Sequence, residues 1–357
     1  MATTVDTQIA TDNPTSNPSD FEFTGVGGEY FKIWIVNILL TIVTLGIYSA
    51  WAKVRRKRYF YGNTWFDNST FEYHADPINI LKGRVIGFIL FAAYIGIGSI
   101  SPILNIVMGF LFLGALPWLV IKGLAFNARN SSYRNIRFNF NAKYGESAWV
   151  FVGLMLLTFL SFGLLTPFLL QRQSQFFIEK SLYGTSYFGF GASPGQFYRA
   201  FVGPFLFFIV LGTLEIVVLQ QSGLLESNFK EITPGEMPLA PMLAGMSMAI
   251  VYLGAFVWLQ KNIQNLIWSH ASLATMQFQS ILRARDLLWL YVSNTLLIVL
   301  TLGLFIPWAQ VRTTRYRLSK LSLINDGNLD GFIQGELEKT HAAGEEIGEF
   351  FDVDLSI

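Results

Sequence analysis

The run Thr44-Leu45-Gly46-Ile47-Tyr48-Ser49-Ala50-Trp51-Ala52-Lys53-Val54-Arg55-Arg56 joins an apolar segment to a dense basic cluster, and the chain uses such a junction three times. It returns as Thr301-Leu302-Gly303 followed by Trp308-Ala309-Gln310-Val311-Arg312, and more loosely as Ser161-Phe162-Gly163 followed by Phe168-Leu169-Leu170-Gln171-Arg172. Each copy interrupts an apolar stretch with a hydroxyl residue, an apolar residue and a glycine. Pro167 and Pro307 follow the glycine in two of them. Gly and Pro at one fixed depth break a helix ladder, and in a bilayer the freed backbone groups need cover from protein rather than lipid. Gly46, Gly163 and Gly303 are therefore the expected segment breaks.

Working outward from these junctions, the chain aligns with itself. A shift of 117 carries Phe21, Glu29, Thr44, Gly46, Arg55 and Phe71 onto Phe138, Glu146, Ser161, Gly163, Arg172 and Phe188. A shift of 140 places Gly114, Trp118 and Phe138 on Gly254, Trp258 and Phe278, and the sum of 257 carries Glu29, Asn37, Arg55 and Tyr59 onto Asp286, Asn294, Arg312 and Tyr316. Self-similarity at fixed offsets signals an architecture built from one unit. The expected divisions are a disordered tail at 1–20, units at 21–137 and 138–277, a partial third unit at 278–324, and an acidic tail at 325–357.

Composition points to lipid as solvent. Hydrophobic residues make up 52% of the 357 positions and charged residues 14%, against about 25% charged in a soluble domain. Seven segments approach the length of about 20 residues that a bilayer core requires: Phe31 to Trp51, Val85 to Ile100, Ile103 to Ile121, Ser147 to Leu170, Phe201 to Gln220, Pro241 to Leu259 and Leu287 to Trp308. The expected fold class is a mainly α, polytopic helical membrane protein with internal repeats. Short β elements outside the bilayer are expected at alternating stretches such as Phe21-Glu22-Phe23, Phe71-Glu72-Tyr73, Phe138-Asn139-Phe140 and Phe188-Gly189-Phe190.

Charge placement bears on how the segments cross. Seven plain spans would put Arg172, Lys180 and Arg199 outside and the acidic loop around Glu226, Glu231 and Glu236 inside, against the positive-inside rule. If segments one, four and seven instead enter from the cytoplasm and return, every cation except Lys230 is cytoplasmic. Both readings remain open at the level of sequence, since 21 apolar residues at about 1.5 Å each are long enough to cross.

The run Gly25-Val26-Gly27-Gly28-Glu29-Tyr30-Phe31, together with the basic junction at 44–56 and its echo at 301–312, resembles the YjgN-like family of bacterial inner-membrane proteins of unknown function. The likeness extends over almost the whole chain after residue 20. It implies the inner membrane of a Gram-negative bacterium and brings no reaction, substrate or site residue with it. The second copy departs from the Trp-Ala-x-Val-Arg form.

Repetition nominates a polar cluster of Glu29, Glu146 and Asp286 with Arg55, Arg172 and Arg312, each acid opening a segment and each arginine standing 26 positions later. Acids at helix starts and arginines at phosphate headgroups account for the same pattern without any site. Glu215 is the one carboxylate well inside an apolar segment, where an ionisable group suggests function. With no cysteine, and with His74, His270 and His341 scattered, no metal site is expected. No phosphate loop, nucleophile elbow or Ser-His-Asp pattern stands out, so neither a cofactor nor catalysis is expected. Lys53 to Arg58, interleaved with aromatic residues, suits anionic membrane lipid rather than nucleic acid. The first functional expectation is a transporter or channel-like protein, by analogy with repeat-built transporters. The second is a non-catalytic membrane organiser that binds lipid, and a protein partner through its acidic tail.

Overall fold

The alternating stretches that punctuate the apolar runs pair with one another into a closed antiparallel barrel of ten strands. The computed structural model describes residues 17–221, 239–325 and 329–340. Strand β1 (Asn17–Phe23) is followed by four hairpins of three and five residues: β2 (Thr64–Phe66) with β3 (Ser69–Tyr73), β4 (Ser131–Tyr133) with β5 (Ile136–Phe140), β6 (Ser181–Tyr183) with β7 (Ser186–Phe190), and β8 (Ala271–Leu273) with β9 (Met276–Ser280). Strand β10 (Leu321–Asn325) closes the circle, with Leu323 opposite Ser19. The hairpins turn tightly through left-handed residues, Asp67-Asn68 and Arg134-Asn135 in the first two, which matches the twist of the flanking strands.

This barrel overturns the expected polytopic helical fold with marginal β elements. Strands of three residues are too short to register as a period, and each long connection places the next hairpin's pairing partners dozens of residues away. Three helices among the described residues, Pro77–Gly98, Ile103–Arg129 and Pro194–Gln221, are long and apolar enough to cross a membrane, in place of seven segments. Strand β1 already begins within the expected N-terminal tail, and residues 1–16 lie outside the described ones, as does most of the acidic loop, 222–238.

Alternation along the strands fills the barrel with aromatic rings. Phe21, Phe71, Phe138, Phe188 and Phe278, one from every odd-numbered strand, meet their neighbours at centroid distances of 6.4 Å (Phe21–Phe71), 6.4 Å (Phe71–Phe138), 6.3 Å (Phe188–Phe278) and 6.5 Å (Phe278–Phe21). Tyr183 stands beside Phe138 at 5.2 Å. Phe66, Tyr133, Ile136, Leu273, Met276 and Leu323 are buried in the same core.

Because consecutive strands are neighbours, the tight turns, the start of β1 and the end of β10 lie at one end of the barrel, and every long connection leaves from the other. Three of these are helical hairpins: α1 (Gly27–Val43) with α2 (Ser49–Gly62); α5 (Tyr144–Ala148), a π turn (Trp149–Gly153) and α6 (Leu154–Leu160) with α7 (Thr166–Glu179); and α10 (Ala284–Leu300) with α11 (Ile306–Leu318). The other two pair α3 (Pro77–Ile100) with α4 (Pro102–Arg129), and α8 (Pro194–Gln221) with α9 (Leu239–Ser269).

The hydroxyl–apolar–glycine triplets make the tips of the three hairpins. Leu45, Phe162 and Leu302 adopt φ of 47, 50 and 49°, and Gly46, Gly163 and Gly303 follow at 92, 85 and 91°. The glycine amide returns to the helix, to the carbonyls of Thr41 (2.7 Å), Thr158 (2.9 Å) and Ile298 (2.8 Å). The hydroxyl residue ends one helix and starts the next: Thr44 Oγ1 donates to the Leu40 carbonyl and accepts from the Tyr48 amide, and Thr301 does the same with Leu297 and Phe305. Ser161 accepts from the Leu165 amide in the same way. These bonds satisfy backbone groups that helix ends otherwise leave bare, and the apolar residue between stands 95% (Leu45), 98% (Phe162) and 94% (Leu302) exposed.

The opposite end is closed by a helix, α12, at 329–340. It forms within the expected acidic tail, of which 341–357 lies outside the described residues. Ile333 enters the aromatic core and Phe332 stacks on Tyr183. Glu336, fully buried, accepts from the Thr185 amide (2.7 Å), the Thr185 hydroxyl (2.9 Å) and the Ser186 hydroxyl (2.9 Å). Burial alone would raise this carboxyl, but these bonds and Lys339 outweigh it and hold it below its usual value. Arg134 ties the helix down through Asp330 while also gripping Asp67 in the neighbouring turn, both at 2.7 Å.

Candidate functional site

The six charged residues nominated by repetition pair within their own hairpins. Glu29, in the first turn of α1, accepts from the Tyr59 hydroxyl at 3.4 Å, and Asp286, in the first turn of α10, accepts from Tyr316 at 3.4 Å. Glu146 takes Lys180 at 2.8 Å, whose hydrogen bond is the main cause of the lowered Glu146 pKa. Arg55 reaches the Tyr48 hydroxyl, Arg172 lies over the Phe168 ring and bonds Gln175, and Arg312 holds Asn294 Oδ1 at 2.7 Å and Ser293 Oγ at 3.1 Å. No hydrogen bond or ion pair joins any of these three acids to any of these three arginines among the described residues. Glu215 stands on α8 and faces α9. One of its oxygens accepts from Ser247, and the other is buried with no hydrogen-bond partner among the described residues.

Arg58 and Arg315 fasten the hairpin bases instead. Arg58 donates to the carbonyls of Tyr73 (3.2 Å) and Ala75 (3.4 Å), and Arg315 to those of Phe23 (3.4 Å) and Gly25 (2.7 Å). Each arginine clamps the bend where a strand runs into a helix.

What the structure brings together is a pocket of about 370 Å³ beside the first hairpin. Asn37 from α1, Lys53 and Arg56 from α2, Arg84 from α3 and Gln310 from α11 line it. Tyr30 donates its hydroxyl to Gln310 at 3.0 Å and fixes that wall. Arg84 bonds Ser49, but no carboxylate forms an ion pair with Lys53, Arg56 or Arg84 among the described residues. Burial, then Arg84 and Arg56, lower the pKa of Lys53; burial, then Lys53 and Arg56, push the adjacent Lys57 down to about 8. Such crowding of like charge is unfavourable until an anion enters.

The sequence contained part of this signal. Lys53 and Arg56 belong to the basic run, and Asn37 is the polar residue that repetition matches to Asn294, yet neither identifies a pocket alone. Arg84 and Gln310 arrive from elements far along the chain, and local pattern holds no trace of that meeting. Among the described residues no group of three or more His, Cys, Asp or Glu could hold a metal ion.

The chain matches the family described as "Bacterial protein of unknown function (DUF898)" over residues 18–350. It is 25% identical over 334 residues to the inner membrane protein YjgN of Salmonella typhimurium, covering 81% of this chain and 84% of that one. It is 35% identical over 144 residues to the inner membrane protein YjgN of Escherichia coli O157:H7, and likewise to that of strain K12, covering 40% of this chain and 36% of each relative. No solved structure matches it. With apolar helices leaving a single end of its barrel and relatives named for the inner membrane, the chain is a bacterial inner-membrane protein and belongs to the DUF898 family of unknown function.

Proposed function

We propose that the protein is a non-catalytic, lipid-binding organiser of the inner membrane, with its barrel on the cytoplasmic side and its three helical hairpins dipping into the inner leaflet and returning. The exposed apolar tips carry this reading. Leu45, Phe162 and Leu302 each stand more than nine-tenths exposed at the far point of a hairpin whose backbone is already satisfied, and burying one such side chain in lipid is worth about 1.5–3 kcal/mol. Helix α1, at 17 residues, is about 25 Å long, short of a hydrocarbon core of about 30 Å. The basic bases of the hairpins then meet the anionic surface.

The matching offsets of the hairpins and tips support descent from one duplicated unit within the same reading. A barrel lumen occupied by aromatic side chains and capped by α12 gives no support to solute passage along its axis. The acidic C-terminal tail, 325–357, is the stretch of sequence proposed to meet a protein partner. Reconstituted vesicles should show no flux of ions or small solutes above empty vesicles, and sustained protein-dependent flux would overturn the reading. Single cysteines placed near Ser174 and near Ser280 should resist an impermeant thiol reagent from outside. Outside labelling at both would sink the placement of the hairpins.

A further inference from the structure

Hairpin one leaves a buried acceptor unused beside unpaired cations. Asn37 is 7% exposed, and its Oδ1 has no hydrogen-bond partner among the described residues, although it lines the same pocket as Lys53, Arg56 and Arg84. A buried polar atom without a partner is unfavourable, and natural structures rarely keep one idle. The pocket thus offers three cationic donors for an anion and, deeper, one acceptor for a hydroxyl.

Its depth says where the ligand comes from. Asn37 stands seven residues before the Thr44 turn and Lys53 seven after Gly46, which sets the pocket roughly 10 Å back from the tip. Leu39 and Ile42, exposed on the same helix between Asn37 and the turn, lead toward that tip. An interfacial element embeds its apolar part by about 5–10 Å below the headgroups. With the tip among acyl chains, the cations lie at headgroup level.

We propose that the pocket lined by Asn37, Lys53, Arg56 and Arg84 binds a phosphate ester that carries a free hydroxyl, in the form of the headgroup of an anionic glycerophospholipid. The phosphate sits among Lys53, Arg56 and Arg84, and the hydroxyl donates to Asn37 Oδ1. This deepens the lipid-binding reading and rests on it.

The test measures binding to full-length protein in detergent by native mass spectrometry and by thermal shift, with phosphatidylglycerol, phosphatidylmethanol, phosphatidylcholine and soluble sn-glycerol 3-phosphate as probes. Phosphatidylglycerol should bind better than phosphatidylmethanol, which has the same charge and no hydroxyl. Asn37→Leu should erase that preference. Lys53→Gln with Arg56→Gln should weaken phosphatidylglycerol about tenfold, while Arg55→Gln, on an exposed side chain, should leave it unchanged. Equal melting temperatures in phosphatidylcholine establish that each variant is folded. Binding of glycerol phosphate that the double variant loses would support the same pocket chemistry with a soluble source. Wild-type preference for phosphatidylglycerol that persists in a folded double variant would overturn the pocket and leave general lipid binding standing. No preference over phosphatidylcholine in the wild type would overturn both.

Discussion

Hairpins one and three carry matching residues in matching places and use them differently. Both place an acid in the first turn, a tyrosine 30 positions later that bonds it, an asparagine in the middle of the first arm, and an arginine 18 positions after the asparagine. In hairpin three that arginine turns inward: Arg312 holds Asn294 Oδ1, and the Asn294 amide donates toward Thr313 at 3.3 Å and the Ala309 carbonyl at 3.4 Å. In hairpin one Arg55 turns outward to Tyr48, and Thr313 and Gln310 are replaced at the matching positions by Arg56 and Lys53. One hairpin closes its polar interior on itself; the other leaves it open and surrounds it with positive charge. Identity of pattern therefore does not fix identity of role, because a single rotation of an arginine decides whether a buried amide is satisfied from within.

The sharpest way to break this contrast is to remove both arginines in turn. Arg312→Ala should lower stability by roughly 2–3 kcal/mol, since it deletes charged hydrogen bonds and takes the donor from the buried Asn294 Oδ1. Arg55→Ala should stay within about 0.5 kcal/mol, as expected for an exposed side chain. Denaturant unfolding in detergent measures both, and equal losses would remove the distinction between the hairpins.

At the tips the two hairpins should behave alike. Gly46 and Gly303 sit at φ of 92 and 91°, and a Cβ at either meets nothing closer than the Ile306 side chain at 3.7 Å, so the strain is backbone strain alone. Alanine at each should cost about 1–2 kcal/mol, read as matched falls in melting temperature. A loss at one glycine only would mean that the turns are not equivalent.

The tyrosine clasps should differ slightly. Tyr59 exchanges bonds of 2.8 and 2.9 Å with the Val26 backbone, whereas Tyr316 makes contacts of 3.1 and 3.3 Å with Arg283. Phenylalanine should cost about 1 kcal/mol at Tyr59 and less at Tyr316, and the reverse order by the same unfolding measurement would contradict the geometry.

Much of this was within reach of the sequence, in pieces. The stretches Phe21-Glu22-Phe23, Phe71-Glu72-Tyr73, Phe138-Asn139-Phe140 and Phe188-Gly189-Phe190 were legible as strands, and their first phenylalanines turn out to supply four of the five rings that the odd-numbered strands send into the barrel. Closure was not legible, because pairing Phe138 with Tyr183 or Leu323 with Ser19 depends on which segments meet across long connections. At the triplets the structure places left-handed glycines and capping hydroxyls, and both are local chemistry. The pocket did not read at all, because Arg84 and Gln310 become its walls only once α3 and α11 pack beside α1.

Alkaline pH offers the finest comparison. Burial first, and then the Glu29 carboxylate, raises the Tyr59 phenol above its ordinary value of 10.0, and the Val26 hydrogen bond opposes them without reversing the shift. Tyr316 is raised in the same way by burial and by Asp286, against the hydrogen bond with Arg283. A phenol whose pKa is higher folded than unfolded keeps its proton longer in the folded state. Its stabilisation is fully present below pH 10 and is lost as pH rises through the folded value. Tyrosinate absorbance should therefore lose one late-titrating phenol in Tyr59→Phe and another in Tyr316→Phe, against a background of Tyr30, Tyr73, Tyr133 and Tyr183, which burial also raises. Glu29→Gln should bring Tyr59 down toward 10 while leaving Tyr316 in place, and Asp286→Asn should do the converse. If either substitution moved both phenols, the hairpins would be coupled electrostatically across the barrel end, and the local pairing that separates them would have to be given up.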